Sequence, residues 1–234
     1  MSLNGTVALV VGASGDIGRA IAFDLLGAGA EVFLLGRDLQ RLSQPPPPAH
    51  FREKCRFIAA DLTDGPAVER AGAEISLKRR LDVLVLSSGT YERSSEPTVF
   101  ASQIAANVLG PYALLYRLLP LLLEAKGQVV FINSSQALKA TAGLGQYAAT
   151  KHAMKAVADS LRDEVNAHGV RVMSLFLGRT ASERQRAIFA VEGRPYPPER
   201  LIQPADVAEV VLSLLLLPRT AEATDIVLRT FQKT

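Results

Sequence analysis

The alternation of short apolar runs with longer helix-like segments constrains the fold of this chain more than any other feature. Seven runs of four to six residues are almost entirely apolar, which is typical of strands buried on both faces of a parallel sheet. Strands connected by helices predict an α/β fold built from right-handed crossover units. We therefore expect a doubly wound parallel sheet of about seven strands with helices on both faces. The predicted strands are Thr6–Val11, Glu31–Leu35, Arg56–Ala59, Val83–Leu86, Gln128–Asn133, Arg171–Phe176 and Ile226–Arg229, and the predicted helices lie near Ile17–Ala28, Pro66–Lys78, Val99–Glu124, Gln146–His168 and Pro204–Leu217.

The size and composition of the chain are those of one globular domain. It has 234 residues, of which 48% are hydrophobic and 21% charged, so it can bury a sizeable core. The sequence has no internal repeat and no sign of a second domain. We predict a single domain over residues 1–234.

Charge and cysteine usage narrow the class of protein. With Cys55 as its one cysteine the chain cannot form an internal disulfide, which fits a reducing compartment. The N-terminal residues lack the basic region of a signal peptide, so a cytoplasmic location is expected. The net charge is +3, and the dense basic run Lys78–Arg80 fits a solvated helix end better than a nucleic-acid surface. Arg117 interrupts the apolar stretch Leu114–Leu123, so no membrane span is predicted.

A glycine-rich turn directly follows the first predicted strand. Its spacing is G-x-x-G-x-x-G, and it leads into the first predicted helix. Glycines let the backbone approach a pyrophosphate closely, and a helix N-terminus supplies free N–H groups and positive potential. At the first strand–helix junction of an alternating chain, this turn predicts a Rossmann-like nucleotide site. Its predicted cofactor-binding residues are Gly12, Ser14, Gly15, Asp16, Ile17 and Gly18.

The end of the second predicted strand indicates which dinucleotide the site prefers. An acidic residue at this position would bind the ribose diol and disfavour a 2′-phosphate, but here a leucine and a glycine are followed by Arg37. A guanidinium suits a phosphate monoester. We therefore predict NADP(H) over NAD(H), with Arg37 and either Arg41 or Ser14 near the 2′-phosphate. Alternatively, Arg37 pairs with Asp38 or another nearby carboxylate.

Asp61 and Leu62 follow the third predicted strand and are included in the predicted cofactor site. The carboxylate of Asp61 can accept a hydrogen bond from the adenine amino group. Alternatively it caps the helix that begins near Pro66, although Thr63 and Asp64 are better placed for that role.

Tyr147 and Lys151 share one face of a predicted helix because they are four residues apart. A free phenol titrates near pH ~10, too high for proton transfer at neutral pH, but a neighbouring cation favours the phenolate. The pair is therefore a candidate general acid/base. The same spacing also arises by chance on many helices, so its context decides its meaning.

Asn107 is followed four residues later by Pro111 within one predicted helix. Proline has no N–H, so in a continuous helix the Asn107 carbonyl loses its helical partner and the helix kinks. The carbonyl is then available to another group. Alternatively, Pro111 merely bends a long helix around the core.

Together these features resemble the short-chain dehydrogenase/reductase family over nearly the whole chain. Tyr147 to Lys151 matches the family's Tyr-x-x-x-Lys motif, and Ser134, thirteen residues before the tyrosine, lies at the usual separation. Asn107 matches the fourth catalytic position. The resemblance implies a hydride transfer between a nicotinamide cofactor and a carbonyl or secondary alcohol, with Tyr147 as general acid/base. Ser134, or its neighbour Ser135, would donate to the substrate oxygen.

The resemblance also implies further contacts to an NAD(P) cofactor. Lys151 would hold the nicotinamide ribose, and a water bound by the Asn107 carbonyl would relay protons to the lysine. Ser88 and Gly89, at the end of the fourth strand, and Thr180, after the sixth, would complete the cofactor site. No metal ligand is implied.

Three departures from the family pattern are visible. The middle glycine of the cofactor motif is Asp16, with Gly15 one residue earlier. The usual Asn-Asn-Ala-Gly is Leu-Ser-Ser-Gly at positions 86–89, so hydrogen bonds of the asparagine side chains must come from serine or be lost. The usual Pro-Gly after the sixth strand is Leu-Gly at 177–178. None of these changes removes a group needed for the chemistry.

The resemblance leaves one alternative function and two further expectations. The alternative is a nucleotide-binding sensor or scaffold with the same fold and little turnover. The segment 179–198, charged and proline-containing, is a candidate substrate lid, the alternative being a connection that contacts no ligand. Family members commonly assemble through their long apolar helices, so a homodimer or homotetramer acting on a small-molecule substrate is expected.

Overall fold

The computed structural model contains a seven-stranded sheet in which all pairings between the described strands are parallel. It describes residues 2–44 and 46–232, so positions 1, 45, 233 and 234 of the predicted domain lie outside the described residues. The predicted strand ends differ from the observed ones by at most one residue, and the predicted doubly wound sheet is confirmed. The strands are β1 (Val7–Val11), β2 (Glu31–Gly36), β3 (Cys55–Ala59), β4 (Val83–Leu86), β5 (Gln128–Ser134), β6 (Arg171–Leu177) and β7 (Asp225–Leu228).

The sheet order is β3-β2-β1-β4-β5-β6-β7. The first three strands build outward in one direction from β1, and β4 returns to pair with the other side of β1. The connections after β1 and β4 therefore leave the sheet on opposite sides, and a crevice lies beyond the carboxyl ends of these strands. Ligands of doubly wound sheets bind at such a reversal point.

Eight α-helices connect or flank the described strands. Two differ from the predictions: the predicted helix Val99–Glu124 is interrupted, and a helix lies within segment 179–198, where no helical periodicity was recognised. The helix after β5 is followed by a 3₁₀ turn, Asn166–His168. The helices are α1 (Asp16–Gly27), α2 (Leu39–Ser43), α3 (Gly65–Ser76), α4 (Pro97–Ile104), α5 (Gly110–Ala125), α6 (Gly145–Val165), α7 (Glu183–Val191) and α8 (Pro204–Leu215).

The central strands are covered on both faces, which explains why they are mainly apolar, whereas the edge strands β3 and β7 have exposed positions. In β1, Leu9 and Val11 pack into the layer formed with α3, α5 and α6. Ala8 and Val10 pack into the opposite layer, formed with α1 and α8. All four side chains are 0% exposed. Because successive strand residues point to opposite faces, a sheet covered twice needs an apolar residue at every position.

The helical segment Pro97–Ala125 is long and apolar enough to cross a membrane by length and composition, with a mean hydropathy of 1.3. Core helices of folded domains pass the same test. Leu114, Leu118 and Leu122 on this segment are fully buried against the sheet. The hydropathy of the segment follows from this packing and carries no membrane assignment.

Candidate active site

The turn after β1 requires glycine at two positions. Gly12 has φ +82°, and a Cβ there would lie 2.7 Å from the Cα and N of Ser88. A Cβ at Gly18 would lie 2.5 Å from the Gly12 carbonyl oxygen. Gly15 is the N-cap of α1 and offers no side chain to the first helical turn. The positive end of α1 is therefore left without a side-chain cap at the edge of the crevice.

A cleft of about 210 Å³ occupies the crevice. Asp16 lines a neighbouring cavity together with Ser14, Arg19 and Arg41. Ile17 and Gly18 do not line the cleft, because Ile17 packs on the apolar layer of α1 and Gly18 is pressed against Gly12. The predicted cofactor-binding residues that line the cleft are Gly12, Ser14, Gly15, Arg37, Asp61, Leu62, Ser88 and Gly89.

Two arginines lie at the β2 end of the cleft. Arg37 and Arg41 both line it, and a Cβ at Gly36 would lie 3.0 Å from the Ser14 hydroxyl oxygen. Asp38 instead caps α2, because its carboxylate accepts from the N–H groups of Gln40 (2.8 Å) and Arg41 (3.3 Å). Within the described residues Arg37 forms no ion pair, so its pairing with Asp38 is not observed. Both guanidinium groups are available to an anion.

Asp61 forms a local turn and does not cap a helix. Its Oδ1 accepts from the N–H (2.9 Å) and the hydroxyl (2.8 Å) of Thr63. The hydrogen bond from the Thr63 N–H lowers the pKa of Asp61, partial burial opposes this, and the charge of Arg37 adds to the lowering. α3 begins at Gly65, beyond the reach of this turn. The Asp61 side chain is thus a charged acceptor on the cleft wall.

Asn107 lies in a π-helical turn, Ala105–Leu109, between α4 and α5. The Gly110 N–H donates to the Ala105 carbonyl, five residues back, and Pro111 follows without an N–H. The predicted disturbance of the helix at Asn107 therefore takes the form of a π turn rather than a simple bend. Such turns are rare inside helices and are frequent at functional sites.

The side chain of Asn107 joins the loop after β4 to α6. It is 2% exposed. Its Oδ1 accepts from the Thr90 N–H (2.6 Å), and its Nδ2 donates to the Thr90 carbonyl (2.9 Å) and the Thr150 hydroxyl (3.1 Å). A Cβ at Gly89 would lie 3.3 Å from Asn107 Oδ1 and 3.6 Å from Lys151 Nζ. Asn107 and Lys151 therefore meet at Gly89, beside the cleft.

Lys151 is a buried ammonium next to Tyr147, and both residues lie on α6 as predicted. Lys151 is 7% exposed, and its Nζ is 5.7 Å from the centroid of the Tyr147 ring. Burial lowers the pKa of Lys151, Tyr147 opposes this, and the positive charge of Arg184 adds to the lowering. The amine is thus held in a desolvated place between the phenol and the cleft wall.

Two residues that the sequence did not indicate support this pair. The ring of Tyr91 packs edge-on against Tyr147, with centroids 5.1 Å apart. Asn133 is buried, donates to the Lys151 carbonyl (3.2 Å) and accepts from the Ser134 N–H (2.8 Å). Asn133 therefore connects the end of β5 to α6. A polar residue at the end of an apolar strand is a signal for such a connection, but its partner lies in another element.

Ser134 is the last residue of β5 and pairs with Leu177 of β6. Its hydroxyl oxygen accepts from the Gln136 N–H (3.2 Å), which fixes the start of a 3₁₀ turn that begins at Ser135. Both serines are half-buried at the carboxyl edge of the sheet. Either hydroxyl is available to a substrate in front of α6.

The predicted lid, residues 179–198, contains α7 and its own apolar cluster. Ser182 caps α7 by accepting from the Gln185 N–H (3.1 Å). Phe189 is 1% exposed and clusters with Ala181 and Leu201. Thr180 is buried, and its hydroxyl donates to the Gly178 carbonyl (3.3 Å) rather than into the cleft. The segment is thus an ordered small layer beyond β6.

The model of the short chain dehydrogenase family matches residues 6–193 of this sequence. The chain belongs to the short-chain dehydrogenase family. It is therefore a member of a family of oxidoreductases, and its seven-stranded parallel sheet is the fold of that family.

Individual relatives extend this assignment to nearly the whole chain. An uncharacterized short-chain type dehydrogenase/reductase, y4eK of Sinorhizobium fredii, is 31% identical over 93% of this chain and 88% of its own. The crystal structure of a metagenomic short-chain oxidoreductase in complex with NADP is 28% identical to this chain in sequence and has a TM-score of 0.81. The match covers 100% of both chains. An alcohol dehydrogenase from the archaeon Thermococcus sibiricus, complexed with 5-hydroxy-NADP, is 26% identical, with a TM-score of 0.83 and 98% of both chains covered.

One departure of this short-chain dehydrogenase from the family pattern has a structural counterpart in the cleft. Ser88 replaces an alanine of the usual motif, and its hydroxyl oxygen is buried without a hydrogen-bond partner among the described residues. Ser88 also forms the surface against which Gly12 is pressed. The replacement therefore adds a polar group where β1 and β4 approach each other.

Proposed function

We propose that this short-chain dehydrogenase is an NADP(H)-dependent oxidoreductase that transfers a hydride between the nicotinamide ring and a carbonyl or secondary alcohol. The observation that supports this best is the placement of Tyr147 beside the buried Lys151, against Gly89 on the wall of the nucleotide cleft. A phenol paired with an ammonium next to a dinucleotide site is suited to proton transfer coupled to hydride transfer.

The residues of the cleft fit a dinucleotide. Gly12 lets the glycine turn pack closely against Ser88, Gly15 adds no side chain at the start of α1, and the uncapped end of α1 favours a pyrophosphate. The unpartnered Ser88 hydroxyl offers a further hydrogen-bonding group. Arg37 would bind the adenosine end and Lys151 the nicotinamide ribose, while Thr180 would bind the carboxamide only if its hydroxyl left the Gly178 carbonyl. The bound cofactor supplies the hydride.

The protein supplies position and protons. Tyr147 donates a proton to the carbonyl oxygen during reduction and accepts it during oxidation. Ser134 or Ser135 donates a hydrogen bond to the same oxygen, where negative charge develops. Lys151 stabilises the phenolate with its charge. The Asn107 side chain fixes the loop at Thr90, while its carbonyl is the proposed site of a relay water.

The decisive test is the replacement Tyr147→Phe. It removes the hydroxyl and keeps the ring that packs against Tyr91. General acid–base catalysis contributes about 10²–10⁴-fold, so turnover should fall by that factor while NADPH binding stays near wild type. Both are measured by NADPH oxidation with a broad panel of ketones and aldehydes and by fluorescence titration of NADPH. Wild-type turnover in this variant would exclude the mechanism. A wild-type protein that binds NADPH but turns over none of the panel would favour a sensor or scaffold.

The preference for NADP(H) is proposed from the β2 end of the cleft. Arg37 and Arg41 line it, Arg37 forms no ion pair among the described residues although the charge of Asp61 is within its electrostatic reach, and two similar structures contain NADP or a derivative. A charge-assisted hydrogen bond contributes about 1.5–3 kcal/mol, or roughly 10–100-fold in affinity. We expect kcat/KM to be higher with NADPH than with NADH, and Arg37→Asp to reverse the order. Equal efficiency with both cofactors in the wild type would contradict the assignment.

A further inference from the structure

Two of the four arginines in the lid (residues 179–198) hold the lid itself together. Arg179 and Arg194 both pair with Glu192, at 2.9 and 3.4 Å. Their guanidinium groups also lie over the ring of Phe189, 4.5 and 5.2 Å from its centroid. These arginines are thus held by contacts inside the lid, where they stabilise the cluster around Phe189.

The other two lid arginines lie on α7 and differ sharply in their surroundings. Arg186 pairs with Glu183 at 3.4 Å and lies over the ring of Tyr196. Arg184 instead reaches into the nucleotide cleft, which it lines, and its Nη2 donates to the Gly89 carbonyl. Within the described residues Arg184 has no carboxylate partner. Arg184 is therefore a lid cation whose charge is directed at the cofactor site.

The first turn of α7 contacts the cleft and the glycine turn beside it. Arg184 contacts the wall of the cleft formed after β4, through Gly89. The preceding N–H, that of Glu183, donates to Asp16 Oδ2 (3.1 Å), and Asp16 lines the neighbouring cavity. Asp16 is the residue that replaces the middle glycine of the family motif. The substitution therefore gives the lid an attachment point beside the positive end of α1.

A cation near this point would favour dinucleotide binding, in addition to Arg19, whose charge already interacts with that of Asp16. A pyrophosphate at the end of α1 would lie near the carboxylate of Asp16, and the two negative charges repel each other. Arg184 directly follows Glu183, whose N–H donates to Asp16. The present hydrogen-bond acceptor of Arg184 is the neutral carbonyl of Gly89. A phosphate oxygen is a stronger acceptor for a guanidinium than a carbonyl is. Exchanging one acceptor for the other offsets the repulsion from Asp16.

We propose that Arg184 binds the pyrophosphate of the dinucleotide cofactor, releasing the Gly89 carbonyl as it does so, with Asp16 holding the first turn of α7 in place. The proposal rests on the proposed function, since it requires a dinucleotide in the cleft. It assigns the lid a role in cofactor binding in addition to covering the substrate. The same movement takes a positive charge away from Gly89, where the Lys151 amine lies.

The test compares NADPH affinity in Arg184→Gln with that in Arg186→Gln, two residues along the same helix. Fluorescence titration should give a dissociation constant about tenfold higher for Arg184→Gln, from the loss of a charge-assisted contact. Arg186→Gln should stay within twofold of wild type. Arg184→Lys keeps the charge but loses the fork geometry and should fall between the two. Circular dichroism checks that each variant is folded. Equal NADPH affinity in Arg184→Gln and wild type overturns the proposal.

Competition with 2′-AMP locates the contact within the cofactor. This probe carries the adenosine and the 2′-phosphate but no pyrophosphate, so it should bind equally to wild type and Arg184→Gln. A matching loss of 2′-AMP affinity would overturn the pyrophosphate assignment. If Arg184→Gln kept wild-type NADPH affinity but had a raised KM for anionic carbonyl substrates, the pyrophosphate assignment would also be overturned, because Arg184 would then bind the substrate. A wild-type protein that binds neither NADPH nor 2′-AMP contradicts the proposed function itself, which separates the two failures.

Discussion

At the scale of single residues, Lys151 combines a buried charge, which opposes folding, with a role in the proposed reaction. Lys151 is 7% exposed, and burial is the largest cause of the lowered pKa of its amine. Desolvation of a charge opposes folding unless partners compensate fully. An apolar residue of similar shape would not carry this cost. Packing alone would therefore favour an apolar side chain at position 151.

Lys151→Met should therefore abolish turnover and raise the melting temperature. For a chain of this size each kcal/mol shifts the melting temperature by about 2–4 °C. The matched control is Lys155→Met, one turn later on α6, where Lys155 pairs with Asp159 at 2.6 Å and has a raised pKa from that hydrogen bond. Scanning calorimetry should show a gain for the first variant and none for the second. A lower melting temperature for Lys151→Met would refute the desolvation account.

The difference in stability between Lys151→Met and the wild type should depend on pH. The folded-state pKa of Lys151 is below its ordinary value of 10.5, so the unfolded chain binds more protons between the two values. The stability of the wild type relative to Lys151→Met must then rise as the pH increases through that window. The advantage of the methionine variant should be largest at neutral pH and narrow towards pH 10.5, a trend that melting curves across this range can check.

Part of the site was predictable from the sequence, because the motifs of the resemblance include residues on different elements. The spacing of Tyr147 and Lys151 was a weak signal by itself and gained its meaning from Ser134, Asn107 and the glycine turn. Asn133, Thr90 and Tyr91 were missed because each acts across two or three elements whose juxtaposition depends on the whole sheet. No local pattern records which side chains meet at Gly89.

At the scale of elements, the π turn Ala105–Leu109 links a sequence feature to the position of Asn107. Pro111→Ala restores an N–H in the first turn of α5, where it can bond the Asn107 carbonyl. We expect kcat to fall about tenfold or more, since the proposed relay loses its acceptor, while NADPH affinity is retained. Pro120→Ala, at an exposed position of the same helix, should leave kcat unchanged. An unaltered kcat in Pro111→Ala would show that the proline only shapes the helix.

Elements were predicted well where their signals are local. The strands ended within one residue of expectation because each is built around a short, mainly apolar run, and most of these runs end at polar residues or glycine. α7 was missed because its residues are mostly exposed, and its order comes from the Ser182 cap and from the contacts of Arg179 and Arg194 with Phe189. The π turn was expected only as a kink, since the sequence shows the missing donor but not how the helix accommodates it.

At the scale of the whole molecule, an exposed apolar stripe runs from the π turn onto the outer face of α5. Leu109 and Tyr112 are 59% and 41% exposed, and the ring of Tyr112 packs against that of Tyr116. Tyr116 in turn donates to Glu164 of α6 (3.3 Å), so a polar contact with the second long helix borders the stripe. We propose that this face forms the homodimer or homotetramer expected from the family resemblance.

Leu109→Glu should dissociate the assembly, because it places a carboxylate within an apolar contact where its desolvation has no compensating partner. A stable interface buries about 1,200–2,000 Å² in total, so one charge near its centre is enough to shift the equilibrium strongly. Leu77→Glu is the matched control: Leu77 is more exposed, at 82%, but follows α3 and lies away from the stripe. Sedimentation velocity at micromolar concentration should show monomers for Leu109→Glu and an oligomer for Leu77→Glu and the wild type. A monomeric wild type would contradict the assembly, and dissociation by Leu77→Glu instead would place the interface at α3.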